Sequence, residues 1–307
     1  MTAMRLHLVT VPYRYDTHDE GLGQGPGALV AAGLGERLTA RGHETVGPFA
    51  AMLDDAERED GRTAVNIGRL GARTAALVAA ARREGAGALV LAGDDTAAIG
   101  VLSGVQLADG AATPVGVVWL DAHGDFNTPE TSYSGILAGM PVAILAGLAG
   151  PLWREAAGLA ATVPTDRILL AGIRDLDEQE AVLLRSTDTR IVTVHDTTGG
   201  SSLQTAIERL ANRCTHLCLH VDLDVLDPHL VPSASTPSAG GLEIDEAAEA
   251  MAMALRTGKV ATVSVAGLNP GAGKRGERSI ASSLALLDEA LAVWERCPPA
   301  SPAVPSG

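Results

Sequence analysis

Cysteine is scarce in this chain: three residues in 307. An odd number without framework spacing excludes a disulfide scaffold and fits a reducing compartment. Cys214 and Cys218 read as a small buried pair rather than a zinc motif, which needs more ligands nearby, and Cys297 stands alone. Aromatic residues are only 3%, so the core drawn from the 46% apolar content is built of Ala, Val and Leu. Basic residues number 23 against 37 acidic ones, for a net charge of −14 with no basic cluster. That excludes a nucleic acid or anionic membrane partner, because a polyanion is bound by clustered cations. No apolar run of about 18 residues free of Gly and charge is present. The opening "MTAMRLHLVTVPYRY" has no signal-peptide core. These absences predict a soluble cytoplasmic protein. No repeat and no break in composition marks a linker, which predicts one domain over 1–296. The Pro- and Ser-rich tail "CPPASPAVPSG" at 297–307 is expected to be disordered.

What the chain does have is a succession of short apolar runs. Eight read as strands: "MRLHLVTVP", "HETVGP", "AGALVLAGDD", "PVGVVWLDAHGD", "DRILLAGIRD", "TRIVTVHD", "THLCLHVDLD" and "KVATVSVAG". Helical patterns fall between most of them. One spans "PGALVAAGLGERLTARG", closed by Gly42, and another "IGRLGARTAALVAAARREG". Others are predicted over 176–186, 201–213, 244–256 and 278–295, and the polar stretch 49–62 reads as a surface loop. Alternating β and α with near-continuous apolar strands predicts an α/β fold: a parallel sheet of about eight strands covered by helices on both faces. Ligands of such sheets sit at the C-terminal strand ends. The polar clusters Asp94-Asp95, Asp121 to Asp125, Arg174 to Asp177 and Asp222 to Asp227 fall at those ends.

In "LDAHGD", Asp121, His123 and Asp125 alternate with Ala122 and Gly124. In an extended segment alternate side chains point the same way, so the three are expected to converge. Asp222 and Asp224 of "HVDLDVLDP" repeat the pattern. Burying these groups together is prohibitive without cations. Oxygen-rich sites with one imidazole suit Mn²⁺, Mg²⁺ or Fe²⁺ better than structural Zn²⁺. Two such clusters with shared carboxylates can hold two metals that ionise water near neutral pH.

At these residues the chain resembles the ureohydrolases, the family of arginase and agmatinase. That family's hallmarks are Gly-Gly-Asp-His-Ser, Asp-Ala-His-x-Asp and Ser-x-Asp-x-Asp-x-x-Asp-Pro. This chain has "LAGDDTAAIG", "LDAHGDFNTPETSYSGILAGMP" and "HVDLDVLDP" in the same order and spacing. "GLGQGPGALVAAGL", "AGIRDLDEQE" and "SASTPSAGGLEIDE" are similar to further family segments, so the likeness spans roughly residues 20–290. The resemblance implies a three-layer αβα sandwich of arginase type, a buried site with one or two Mn²⁺, a small-molecule substrate and a homo-oligomer, trimer or hexamer. It implies a hydrolase whose metal-bound hydroxide attacks a guanidinium or amidine carbon. Position by position, it makes Asp121 and Asp222 bridging ligands. His123 and Asp224 complete one metal site and Asp125 serves the other, where it also takes part in catalysis. Asn127, Ser134 and Asp177 match positions that hold the substrate's carboxylate and amino groups.

Three departures bear on the chemistry. Asp95 stands where the family has the His of Gly-Asp-His-Ser; a carboxylate still binds a hard cation. Ala138 stands where arginases carry a proton-shuttling His, and His229, just past "DVLDP", is the candidate substitute. Gly267 of "SVAGLNP" stands where the family has the Glu that pairs with the guanidinium. An unpaired buried guanidinium is costly. The leading expectation is therefore a metal-dependent C–N hydrolase acting on an amidine, a modified guanidine or an amide-like group rather than plain arginine. Two alternatives remain at this stage: a condensation or cyclisation on the same fold, and a non-catalytic member used for binding.

Overall fold

The computed structural model describes residues 4–198, 200–295 and 297. Ten strands run in chain order: β1 (Arg5–Val11), β2 (Tyr13–Arg14), β3 (Thr17–His18), β4 (Glu44–Ala50), β5 (Gly87–Ala92), β6 (Val115–Leu120), β7 (Ile168–Ile173), β8 (Arg190–Thr193), β9 (His216–Asp222) and β10 (Val260–Ala266). The pair β2 and β3 forms a small antiparallel hairpin. The other eight form one sheet in the order β4-β1-β5-β10-β9-β6-β7-β8. Every pairing in it is parallel.

The central strands are buried along their whole length, as sheet strands covered on both faces must be. Alternation divides their side chains between two cores. Leu89, Leu91, Val118, Leu120, Leu217, Leu219 and Val221 face one helix layer. Val90, Val117, Trp119 and Cys218 face the other. Edge strands β4 and β8 are largely exposed or half-buried. The expected αβα sandwich with eight parallel strands is thus observed. No helix among the described residues is long and apolar enough to cross a membrane.

Some boundaries differ from those read in the sequence. The helix expected over 26–42 is two helices, Gly25–Ala31 and Leu34–Ala40. They are separated at Gly33, whose φ of +87° is a left-handed conformation natural only to glycine. The strand expected to end at Pro48 runs on to Ala50, and the long helix starts at Thr63, so the loop between them is shorter. A helix at Ala98–Asp109 was not singled out, because buried residues lie all round it from Ala98 to Gln106 and blur its period. The last helix is Lys274–Ala290, four residues earlier at its start than expected. All three cysteines are free and buried, as read. Apart from Cys297, the predicted tail lies outside the described residues.

Five neighbouring strands, β5-β10-β9-β6-β7, bring their C-terminal ends to one place. Chain-consecutive β5 and β6 are not neighbours; β10 and β9 lie between them. The polar segments after these strands therefore meet over a sheet position where chain order and spatial order part, which is where open α/β sheets bind ligands.

Candidate metal centre

A cavity of about 410 Å³ opens at this end of the sheet. Asp94, Asp95, His123, Asp125, Asn127, Ser134, Asp177, Glu180 and Asp222 contribute to its lining. The segment after β6 starts as expected but does not stay extended. Asp125 has a φ of +48°, strained for a residue with a side chain. The turn is held from outside: Ala122 O accepts from the N–H groups of Arg174 and Asp175, at 2.9 and 3.0 Å, and Asp125 O from that of Val142 at 2.9 Å. Phe126 N–H donates to Glu180 Oε1 at 2.8 Å. The consequence is that Asp121, His123 and Asp125 do not converge on a single point. Two groups form instead, each with ligand atoms within 4.8 Å of one another: Asp121, His123 and Asp224; and Asp95, Asp121 and Asp125. Asp121 belongs to both.

The carboxylates are oriented by neutral donors. Trp119 Nε1–H donates to Asp121 Oδ2 at 2.9 Å, and His123 N–H to Asp121 Oδ1 at 2.7 Å. Asp224 N–H donates to Asp222 Oδ1 at 2.8 Å, and the Thr236 hydroxyl to Asp224 Oδ2 at 3.0 Å. Arg174 does not enter the cluster as a counter-charge. Its guanidinium is spent on the carbonyls of Asp224, Val225, Leu226 and Ser238, which fixes the loop that carries Asp224. Asp227 does the same from below, accepting from His229, Gly240 and Gly241 N–H.

Charge is therefore undersupplied. Asp95, Asp121, Asp125, Asp222 and Asp224 are all buried, and among the described residues His123 is the charged partner they have, with Nδ1 3.4 Å from Asp121 and 3.2 Å from Asp224. Burial, then repulsion from Asp224, pushes both Asp95 and Asp121 up to about 7. Asp125 and Asp222 are pushed well above the usual carboxylate range by burial and by their acidic neighbours. Burial acts to lower His123, but its bonds to Asp121 and Asp224 prevail and hold it at about 11. Asp224 is lowered: burial works against this, and the His123 bond outweighs it. Asp125 Oδ2 is buried without a hydrogen bond. A cation supplies what this donor set lacks: countercharge for clustered carboxylates and a partner for an orphaned oxygen. The residues fit one or two hard divalent ions.

A carboxyl whose folded pKa exceeds its unfolded value binds its proton more tightly when folded. It stabilises the fold at low pH, and that contribution is lost as pH rises through the folded value. For Asp95 and Asp121 the window runs from 3.8 to about 7. Asp224, shifted the other way, acts only below it. In EDTA the protein is expected to melt roughly 5–10 °C lower at pH 8 than at pH 5, and Mn²⁺ is expected to erase most of that difference. A metal-free melting temperature that rises over this window contradicts the charge account.

Around the cluster, Asn127 Nδ2–H donates to Asp177 Oδ2 at 3.0 Å. Asp177 caps the helix Glu178–Arg185 in a capping box with Glu180. Ser134 sits exposed in the cavity lining, where its hydroxyl accepts from Ile136 N–H at 3.2 Å. Ala138 lines the cavity as well. His229 is not brought there. Its ring is exposed and paired with Asp227 at 2.8 Å and Glu243 at 3.6 Å, on the far side of the Asp227 turn. It does not replace the histidine missing at 138. Tyr15, which sequence reasoning passed over, does line the cavity. Its φ is +56° and its N–H donates to Asp94 Oδ2 at 2.7 Å. Burial, then Asp94, raises its phenol, which reaches the backbone of Ala138 and Leu137.

Gly267 backs on to Asp222, one of the lining residues. The glycine's φ is +90°, and a Cβ there would lie 2.3 Å from Asp222 Oδ1. A model of the arginase family matches residues 4–292. The chain belongs to the arginase family. It is 32% identical over 274 residues to an arginase of Bacillus caldovelox, covering 86% of this chain and 91% of that one. The arginase of Bacillus subtilis (strain 168) is 30% identical over 270 residues, covering 86% and 90%. The solved native structure of the Bacillus caldovelox arginase at pH 5.6 superimposes with a TM-score of 0.81 at 31% identity, covering 94% of this chain and 98% of that one. Against this family, the residue most clearly missed is His220. The family motif has Ser at its position in "HVDLDVLDP", just as it has His at the position of Asp95. His220 is buried, and burial lowers its ring to about 4, so it is a neutral imidazole.

Proposed function

We propose that the protein is a cytoplasmic, binuclear metal-dependent hydrolase of a small C–N substrate less basic than arginine, with Mn²⁺ the ion of choice. What carries the reading is the pair of ligand groups sharing Asp121 at one cavity, beside a Gly267 where a side chain would displace Asp222. Asp121 would bridge the ions, with His123 and Asp224 on one and Asp95 and Asp125 on the other; Asp222, which stands in neither ligand group but lines the same cavity, is the second bridge that the family resemblance implies. Such ions supply Lewis acidity and a water that ionises near neutral pH.

The chain's own residues do the rest. Asp125 takes the attacking water's proton, a role supported by its burial and its one unpartnered oxygen. Asn127 and Asp177, already hydrogen-bonded to each other, orient the polar end of the substrate, with Ser134 at the rim. Arg14 lines the same cavity. A guanidinium there favours a substrate that carries a carboxylate or another anionic group. No carboxylate faces the reacting group from position 267, so an amidine, a modified guanidine or an amide-like group fits better than a full guanidinium. The family's trimer or hexamer is carried over as the assembly. The retained acidic cluster weighs against a non-catalytic member, since an idle site has no use for it. A condensation at the same carbon is told apart by its products.

The test is urea, ammonia and amine release from a panel of guanidines, hydroxyguanidines, formimidoyl compounds and amides with saturating Mn²⁺. Arginine and agmatine are expected to react at least ~10²–10³-fold more slowly than the best panel member, the loss that goes with one missing transition-state contact. Arginine turnover on the order of 10 per second overturns the substrate assignment and leaves an ordinary arginase.

A further inference from the structure

Sheet register places a three-residue row beneath the metal centre. His220 on β9 pairs with Trp119 on β6 and with Ser264 on β10. His220, in the middle, contacts both neighbours across the strands. The His220 ring stacks on Trp119 with centroids 3.7 Å apart and planes 20° apart. Its Nδ1 lies 2.8 Å from Ser264 Oγ, and its Nε2 lies 2.9 Å from Asp95 Oδ1. A metal-bound, ionised carboxylate only accepts, so toward Asp95 in that state the ring presents Nε2–H. That leaves Nδ1 to accept the Ser264 hydroxyl. The ring plane and the aim of its two nitrogens are set by the stack on Trp119 and by Ser264. Trp119 performs the matching task for Asp121 through Nε1–H. The row is thus one layer of donors under a layer of carboxylates.

We propose that His220 is the positioning residue of the Asp95-side metal site. Asp95 leaves β5 on a short 3₁₀ turn, Asp95–Ala97, and has no strand neighbour to hold its side chain. The bond from His220 holds Oδ1, so that Oδ2 is the oxygen a cation would take. The imidazole at position 220 and the carboxylate at position 95 therefore act as one unit, a ligand and its support. The inference rests on the reading that the cluster holds two cations. It does not depend on the reaction.

The experiment is equilibrium dialysis of the full-length protein with Mn²⁺ as the only added metal. It compares wild type, His220→Leu, His220→Gln, Asp95→Ala and the Asp95→Ala/His220→Leu pair, with metal-free melting temperatures measured alongside. Removing an outer partner of a metal ligand costs about 10–100-fold in affinity. His220→Leu is expected to weaken one of the two ions by that factor and leave the other within about twofold of wild type. His220→Gln, which keeps an N–H in reach of Asp95, is expected to recover most of the loss. On the Asp95→Ala background His220→Leu is expected to add nothing, the signature of two groups acting as one. If the leucine variant does not fold, Ser264→Ala reads the same unit from behind, with a smaller loss confined to the same ion. Two ions held with wild-type affinity in His220→Leu overturn the proposal alone. So do equal weakening of both ions with glutamine no better than leucine, or a wild type that binds a single ion insensitive to Asp95→Ala. Absence of any Mn²⁺ binding overturns the hydrolase reading along with it.

Discussion

Asp121→Asn is expected to leave the protein unable to hold either metal ion, and to lower turnover of its best substrate by roughly a thousandfold or more, the scale of losing transition-state electrostatics. Asp121 is the only residue common to both ligand groups. Its two oxygens also accept from two N–H donors, Trp119 Nε1 and His123 N. An asparagine offers one acceptor and one donor group there. One of the two N–H groups then faces an NH₂, and a buried donor left unpaired costs about 1–3 kcal/mol. Asp224→Asn is the control. Asp224 belongs only to the His123 group, so that variant is expected to lose one ion and keep the other. Elemental analysis after dialysis against limiting Mn²⁺ reads both results. Full two-ion content in Asp121→Asn would show that this carboxylate is not the bridge.

Restoring the family's glutamate at position 267 is expected to fail. Removing a side chain and removing the space for it are different events, and the structure records the second. The Gly267 backbone is left-handed, its N–H donates to Gly93 O at 3.1 Å, and a Cβ would lie 2.3 Å from Asp222 Oδ1. Gly267→Glu adds backbone strain of about 1–3 kcal/mol, a steric conflict with a metal-site carboxylate and a further buried negative charge. The variant is expected to melt lower than wild type, to bind Mn²⁺ more weakly and to gain no urea release from arginine. A Gly267→Glu protein that keeps both ions and hydrolyses arginine would sink this account, and would reduce the change at 267 to a simple deletion.

The sheet was legible in the sequence because each buried strand is a continuous apolar run ending in a polar cluster. "GVVWLDAHGD" states both the strand and the site in one line. The spacing of Asp121, His123 and Asp125 correctly marked a ligand cluster but misjudged its shape. Period two holds only while the backbone stays extended, and Asp125 turns left-handed under hydrogen bonds from residues 142 and 180 that no local pattern discloses. His220 was hidden for a related reason. Inside "HLCLHVD" it looks like one more core residue, and its importance appears only when β5 delivers Asp95 from 125 positions away. Its signal was present in the motif comparison: the loss of His at 95 was read, but the His standing at 220 in place of the motif's Ser was not. His229 shows the opposite error. Sequence proximity to "DVLDP" suggested a role, but Asp227 turns that loop outward and keeps its imidazole there.

The sheet order also has a consequence for how the protein is made. The strands at the middle of the sheet, β9 and β10, are the last two in the chain. Until residues 216–266 leave the ribosome, β5 and β6 each present a bare edge of unpaired backbone. Such edges invite pairing with other chains. Asp222 and Asp224 arrive with that closing pair, so the ligand set is completed at the final long-range step, the kind of step that makes parallel sheets slow to fold. A nascent chain that stops short of β9 carries Asp95, Asp121 and Asp125 but lacks Asp222 and Asp224. The ligand set is whole only once β9 has taken its place between β10 and β6.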